Sequence, residues 1–390
     1  MFSISRLQEV MKGIPRGVFD AAVREHGTNK HSKGFRSWDQ LTAMAFAQLS
    51  GASSLRVVEA AYNSQPAHHY HLGTGAIRRS TLADANRKRS PEPLVAVVQA
   101  LMSQVNRSVR KQSARALYLL DSTSLTLKGR HFDAWTAASR NRCTQGMKLH
   151  VVYARDAASP VRQSLSMANV NDVTDAIGIP IESETTYVFD KGYCDYNWWA
   201  SIDASQATFV TRFKNNAALV VDRARPIDAD DKDTILADEI VRFAHKSPGG
   251  KRRNRYEAPL RRITVARPDK LTPLVLATND LTTTATVIAQ HYKDRWNIEL
   301  FFKWMKQHLQ IKRFFGCNEN AVKTQVLCAL IVYLLLSLYR KAHAKTASLW
   351  LLLAELRHAL FQRAAVEQST YRRCKERRLE VRNRQALLFT

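Results

Sequence analysis

The spacing of apolar positions changes three times along the 390-residue chain, and each change marks a boundary. Up to about residue 110 they recur every three or four positions in short runs, the period of helices with one buried face. A segment opened by Pro15 carries Val18, Phe19, Ala22 and Val23, and one capped by Ser37 carries Leu41, Met44, Ala45 and Leu49. A third begins after Ser53-Ser54, and a loop over 65–75 leads to a basic helix over 78–89. After Lys111 the pattern becomes alternating and continuously apolar, predicting strands over 116–120, 147–153, 161–167, 186–189 and 207–213, with a helical piece after Asn171. Strands mixed with helices describe an α/β sheet.

Between about 215 and 285 the texture shifts again. An acidic stretch over 228–233, a short helix over 237–243, a basic loop over 246–255 and strands over 260–266 and 272–278 describe a β-rich insertion. Helices are then expected over 292–306, 321–339 and 348–361, followed by a basic tail. The expected organisation is a helical domain over 1–110, a sheet domain over 111–214 that resumes over 286–365, the insertion over 215–285, and a tail over 366–390.

The stretch from Tyr292 to Lys306 has the most unusual pattern. At about 100° per residue, Tyr292, Arg295, Glu299, Lys303 and Lys306 share one narrow stripe. Leu300 and Trp304 flank it on one side, Ile298, Phe302, Met305 and Leu309 on the other, with Phe301 at the back. A thin polar seam between apolar flanks suits the lining of a cleft; an interdomain helix with i,i+4 ion pairs is the alternative. Two further acids, Asp121 and Asp190, each come directly after an apolar strand. Acids near a core are costly unless compensated. A salt-bridge network through Arg295 and Lys306 would compensate them, and so would two divalent cations. Hard oxygen donors favour Mg²⁺, with Mn²⁺ able to substitute. Two such ions held by Asp121, Asp190 and Glu299 would clamp a phosphodiester, leaving Arg295 and Lys306 to grip neighbouring phosphates. Asp195, five residues beyond Asp190, is a rival for its role.

A net charge of +25, from 59 Lys and Arg against 34 Asp and Glu, names the polyanion: nucleic acid. The candidate DNA contacts are Arg78, Arg79, Arg87 and Lys88 on the basic helix, which fits a recognition helix, and Lys251, Arg252 and Arg253 on the basic loop; a solvated basic helix is the alternative for the first group. No small-molecule substrate is expected. The apolar run over 326–338 has the length of a buried helix, so it gives no reason to expect a membrane role. The N-terminus lacks an apolar export segment, so export is not expected and a reducing cytoplasm is. Five scattered cysteines without a C-x-x-C support neither disulfides nor a zinc knuckle, and His68, His69 and His71 lack partner ligands.

These residues resemble the DDE transposases of bacterial insertion sequences, and among them insertion sequence family four. Its Y-x2-R-x3-E-x6-K signature is matched by Tyr292, Arg295, Glu299 and Lys306, and its D-x-G-Y/F by Asp190, Gly192 and Tyr193. Asp121 stands where the family's first Asp ends its first strand, and the spacings from 121 to 190 to 299 leave room for an inserted β domain. The likeness covers about 115–340 and extends loosely to the N-terminal helices. It implies an RNase H-like catalytic domain, a mixed β-sheet with flanking helices, interrupted by a β-rich insertion and preceded by an all-helical N-terminal DNA-binding domain. It also implies binding of terminal inverted repeats, nicking to free 3′-OH ends, strand transfer into target DNA, and a homodimer on paired ends. In some members a Trp of the insertion stacks on a flipped base during hairpin formation. All seven tryptophans here lie outside 215–285, leaving Phe243 and Tyr256 as candidates. A nuclease on the same fold and a catalytically silent DNA-binding inhibitor are the rival readings.

Overall fold

A computed structural model describes residues 4–112, 115–138, 145–247, 253–268, 271–343 and 346–362. The chain begins with helices α1 (Arg6–Met11), α2 (Arg16–Glu25), α3 (Ser37–Ser50), α4 (Leu55–Asn63), α5 (Pro66–Leu72), α6 (Arg79–Lys88) and α7 (Glu92–Gln112). Then come β1 (Ala116–Thr126), α8 (Arg130–Asp133), β2 (Ala137–Ala138), β3 (Gln145–Ala154), β4 (Ser159–Met167), α9 (Asp172–Ile177), β5 (Thr185–Phe189), α10 (Tyr196–Ala204) and β6 (Thr208–Arg212). Strands β7 (Leu219–Ala224), β8 (Ile235–Phe243), β9 (Leu260–Val265) and β10 (Leu274–Thr278) are next, and α11 (Ala285–Asp294), α12 (Trp296–His308), α13 (Glu319–Ala342) and α14 (Leu349–Ala359) end the described chain. Two compact units result, one from the described parts of Met1–Leu101 and Met305–Thr390, the other from Met102–Trp304.

The first unit is helical and is built around α13. That helix is long and apolar enough to cross a membrane by length and composition, yet it is mostly buried, packed by α1, α3, α6 and α14. Buried Gln48 and Gln325 tie down the turn after α12: the Gln310 amide donates to Gln48 Oε1 at 2.7 Å, and Gln325 Nε2 donates to the Arg313 carbonyl at 2.7 Å. Two expectations fail here. The presumed loop over 65–75 contains α5, whose Pro-Ala-His-His-Tyr-His-Leu sequence shows too few apolar positions to reveal a period. Ser37 is the first residue of α3 rather than its cap: the Arg36 amide is met by Asp39 Oδ2 at 2.7 Å, and the Ser37 hydroxyl is engaged with Thr28 and Asn29.

The second unit is α/β. Its mixed sheet of ten strands runs β2-β3-β1-β5-β6-β10-β9-β8-β7, with β4 paired to β3. β1, β5 and β6 are parallel, while β3 and β10 flank them antiparallel. Tyr118, Leu120, Phe189, Trp198, Trp199 and Phe209 fill one core against the sheet, each burial stabilising by about 1.5–3 kcal/mol. The stretch over 215–285 is β-rich, but its strands extend this sheet instead of building one of their own. The helix expected over 237–243 is the second half of β8. A bulge between Ile235 and Ala237 and an inward Asp238 break the alternation that would have identified the strand.

Asp238 is buried because Arg261 on β9 is buried beside it, Nε and Nη2 donating to the two carboxylate oxygens at 2.8 and 2.7 Å. Arg261 Nη1 also donates to the Thr283 carbonyl in the turn that starts α11, and Asp280 caps that turn through the Thr282 and Thr283 amides, each at 2.9 Å. The pair therefore fixes where α11 leaves the sheet. Arg225 Nε also lies 3.4 Å from Asp238 Oδ2, so removing Arg261 leaves the carboxylate with one partly exposed partner and costs less than the roughly 3–5 kcal/mol of a stranded buried charge. Arg261→Met should lower the unfolding free energy in urea by about 1–3 kcal/mol, and Arg225→Met added to it should lower it further; no change in Arg261→Met would contradict the assignment.

Candidate active site

The parallel ladder between β1 and β5 ends at Leu120↔Phe189, and that between β5 and β6 at Val188↔Val210. Asp121 and Asp190 each stand one step beyond Leu120 and Phe189, and Arg212 stands two steps beyond Val210. Adjacent strands lie about 4.8 Å apart, so these residues line up in one row across three neighbouring strands, where their parallel pairing has stopped. Asp121 does not end its own strand, as the apolar run suggested. β1 continues to Thr126 because β3 goes on pairing with it, from Asp121↔Val151 to Thr126↔Gly146, after β5 has stopped.

Asp190 leaves β5 into a single tight turn. The Gly192 amide donates to its Oδ1 at 2.6 Å, and a Cβ on Gly192 would fall 2.8 Å from that oxygen, so a larger residue there would push the carboxylate out of this orientation. The Thr211 hydroxyl donates to the Asp190 carbonyl at 3.2 Å, and Arg212 Nη2 lies 4.0 Å from Oδ2. Asp195 is engaged elsewhere, since its Oδ1 accepts from the Asn197 and Trp198 amides, both at 3.0 Å, and caps α10.

Glu299 arrives from the far end of the sequence. The single helix expected over 292–306 is divided at Arg295, where the Arg295 and Ile298 amides bond three residues back, each at 3.2 Å, while the backbone stays right-handed. The junction is pinned to the sheet: Arg155, between β3 and β4, reaches Asp294 Oδ2 at 2.9 Å, and Phe301 packs on Tyr153 of β3 with ring centroids 5.5 Å apart. Ile298, Phe301 and Phe302 are buried, whereas Trp296 and Leu300 are exposed, so the Leu300 flank of the seam is open to solvent.

Arg295 joins the elements electrically. Its Nη2 donates to Glu299 Oε1, and its Nη1 lies 3.5 Å from Asp121 Oδ2. Tyr292 lies beside it, with the Arg295 and Arg212 guanidinium carbons each 5.9 Å from the ring centroid. Burial raises the Tyr292 phenol, and the two arginines moderate the shift. Burial also pushes the Asp121 carboxyl up to about 6. The Ser122 amide, at 2.8 Å, and Arg295 pull it down, while the charges of Asp190 and Glu299 push it further up.

Comparison with known proteins gives this arrangement a family. Residues 112–335 match the Transposase DDE domain. The chain belongs to the DDE transposase family. Residues 3–75 separately match a domain of unknown function, DUF4372. The chain is 40% identical over 292 residues to "Putative transposase y4zB" of Sinorhizobium fredii, covering 74% of this chain and 79% of that protein. It is 26% identical over 247 residues to "Probable transposase for insertion sequence element IS5377" of Geobacillus stearothermophilus, 60% of each chain. In fold it is similar to the piggyBac transposase of a synaptic complex with hairpin DNA, at a TM-score of 0.51 and 10% identity over 92% of this chain and 80% of that one. Together these imply an RNase H-like core for the large mixed sheet, and the enzyme is a DDE-type transposase.

The other candidate residues of the transposase are scattered over the molecule. Lys306 lies in the helical unit, its ammonium lowered by burial and by Lys312. Arg78, Arg79, Arg87 and Lys88 are exposed on and beside α6, the last two near Asp84 at 2.8 and 4.0 Å. Arg253 is exposed, its carbonyl accepting from Asn197 Nδ2 at 3.2 Å; Lys251 and Arg252 lie outside the described residues, as does the tail over 366–390. Tyr256 is buried, and Phe243 packs on Tyr196 with centroids 4.4 Å apart, so both candidate stacking rings are taken into the core. Arg212, at the end of the fifth predicted strand, was given no part in the site; its signal was its place as the last residue of β6, level with Asp190 just after β5.

Among the described residues no three His, Cys, Asp or Glu side chains form a ready-made ion cage. The donor set nevertheless suits a hard divalent ion, which is commonly held by one or two carboxylates with water and substrate phosphates. Asp121 is an acid whose ionisation its present surroundings disfavour. Below about pH 4 it is protonated folded and unfolded; between there and about pH 6 only the unfolded chain releases the proton, so its ionisation lowers stability as pH rises. Asp121→Asn should therefore stabilise the protein in EDTA at pH 7.5 by on the order of 2 kcal/mol and have little effect at pH 4. Equal stability of the two proteins at pH 7.5 would contradict this.

Proposed function

We propose that this transposase belongs to the branch of insertion sequence family four, binds the terminal inverted repeats of its element, cleaves DNA strands with two divalent metal ions, Mg²⁺ by preference and Mn²⁺ in its place, and transfers the 3′-OH ends into target DNA. The carrying observation is the alignment of Asp121 and Asp190 one step past the last β1–β5 pair, with Glu299 brought to Asp121 through Arg295. Asp121, Asp190 and Glu299 would hold the ions, which supply activation of the attacking oxygen and stabilisation of the leaving one. Gly192 holds the Asp190 carboxylate in one orientation, and Arg155 holds the helix junction so that Glu299 keeps its place over the strand ends.

Tyr292, Arg295 and Lys306 are read as contacts to phosphates near the scissile bond, with Arg212 beside Tyr292 adding a fourth polar group. In the DNA-free protein Arg295 neutralises Asp121 and Glu299. A bound phosphate offers the guanidinium a competing bidentate partner, which frees the two carboxylates for their ions. The helical unit is read as the N-terminal DNA-binding domain with α6 as its recognition helix, the assembly as a homodimer on paired ends, and the protein as cytoplasmic at the nucleoid. A net charge of +25 supports the choice of DNA as partner.

The protein incubated with Mg²⁺ and end DNA should cleave and join. Cleavage without joining would make it a nuclease, and binding alone an inhibitor. Asp121→Ala, Asp190→Ala and Glu299→Ala should each abolish cleavage while leaving end binding nearly intact, because phosphate contacts dominate affinity; retained cleavage in Glu299→Ala would falsify the assignment. Arg295→Ala and Lys306→Ala should slow cleavage more than they weaken binding in gel-shift titrations. An equal loss on end and random duplexes would reduce both to general phosphate contacts.

A further inference from the structure

The helical unit carries an open groove of about 600 Å³ between the α2–α3 connection and the last turns of α6. Lys30, His31 and Lys33 line one side and Lys88 the other, and Asp84 is the single acid among the lining residues. Lys30, His31, Lys33 and Lys88 are all exposed. The loop that presents the first three is built rather than loose. Asn29 Oδ1 accepts from the Ser37 amide at 2.7 Å, the Thr28 and Ser37 hydroxyls meet at 2.8 Å, and the Lys30 amide donates to the Gly27 carbonyl at 2.9 Å across a left-handed Gly27.

Arg89 fastens this loop to α6. Its guanidinium donates to the Ser32 hydroxyl at 3.1 Å, to the Phe35 carbonyl and to Gln40 Oε1 at 3.3 Å, and lies over the Phe35 ring at 5.5 Å. One arginine is thereby committed to structure so that three lysines stand at fixed positions around a groove. Ammonium groups on a preformed concave surface fit a row of phosphates, and their three donors tolerate any base sequence. The adjoining face of α6 decides which polyanion. Its exposed residues include small ones, Ser80, Thr81 and Ala83, between Arg79 and Arg87, so a helix of about 15 Å is free to approach base edges.

We propose that this groove grips the sugar-phosphate backbone of duplex DNA immediately beside the segment that α6 reads. Lys30, Lys33 and Lys88 are the phosphate contacts, and Arg89 is a positioning residue. The inference rests on the reading of the helical unit as DNA-binding and gives the stretch matching a domain of unknown function, residues 3–75, a role: it supplies the backbone clamp.

Binding of the full-length protein to end DNA and to a random duplex of equal length, measured by fluorescence anisotropy between 50 and 250 mM salt without divalent metal, tests it. Each phosphate contact contributes about 0.9 to the slope of log affinity against log salt. The double variant Lys30→Ala/Lys33→Ala should lower that slope by about 2, weaken both duplexes roughly tenfold or more at 0.1 M salt, and melt at the wild-type temperature. Arg89→Ala should lower the slope as well, although Arg89 itself touches no phosphate. An unchanged slope in Lys30→Ala/Lys33→Ala, or a loss confined to end DNA, would overturn the clamp. Cleavage of end DNA by the wild-type protein with Mg²⁺ is read in parallel. Its absence would count against the transposition chemistry alone, because the salt slope reports the groove without any cleavage.

Discussion

The parallel register of β1, β5 and β6 is the constraint on which the site depends. Because the parallel ladders stop at Leu120↔Phe189 and Val188↔Val210, the residues just past them fall in one row across three neighbouring strands, and those residues are Asp121, Asp190 and Arg212. The core beneath, with Phe189, Trp198, Trp199 and Phe209 packed together, holds that register, since both faces of β1 and β5 are buried here and a slip by one residue would exchange the side chains packed on each. The rest of the second unit serves to return the chain to this place. β7 to β10 widen the sheet, and the Asp238–Arg261 pair sets the departure of α11 that leads to Glu299.

Charge is the second constraint. Three acids within electrostatic reach of one another raise the cost of ionising the most buried of them, Asp121, and Arg295 offsets only part of it. A site balanced in this way favours an added cation, and Arg295 has another partner available once a phosphate arrives. In the proposed mechanism DNA engagement and metal loading are linked through one side chain. In the proposed reading the helical unit acts on separate terms, since exposed lysines on a hydrogen-bonded loop, with no acid but Asp84 among the groove's lining residues, suit affinity without base preference.

Much of this was legible in the sequence, and the omissions have physical causes. The apolar runs before Asp121 and Asp190 and the stripe from Tyr292 to Lys306 located the acids, because burial of a strand or helix face leaves a periodic trace. Family assignment came from the same residues. Arg212 was missed because its importance comes from registration between strands, which no local window contains. The division at Arg295 was invisible because its backbone remains right-handed and only the bonding shifts by one residue. β8 read as helix because Asp238 occupies an inward position that its partners Arg261, 23 residues away, and Arg225 make tolerable. α5 was taken for a loop because its histidines mask the turn-by-turn pattern, although His69 is buried and stacked on Tyr62 with ring centroids 4.6 Å apart.

The central claim is that the aligned carboxylates of Asp121 and Asp190 are metal ligands, and a change of ligand hardness tests it most directly. Thiolate is a poor ligand for Mg²⁺ and a better one for Mn²⁺. End cleavage by Asp190→Cys should be lost in Mg²⁺ and return in Mn²⁺, while the wild-type protein works with both. Full activity of Asp190→Cys in Mg²⁺, or no recovery in Mn²⁺ from a variant that still binds end DNA, would contradict the account.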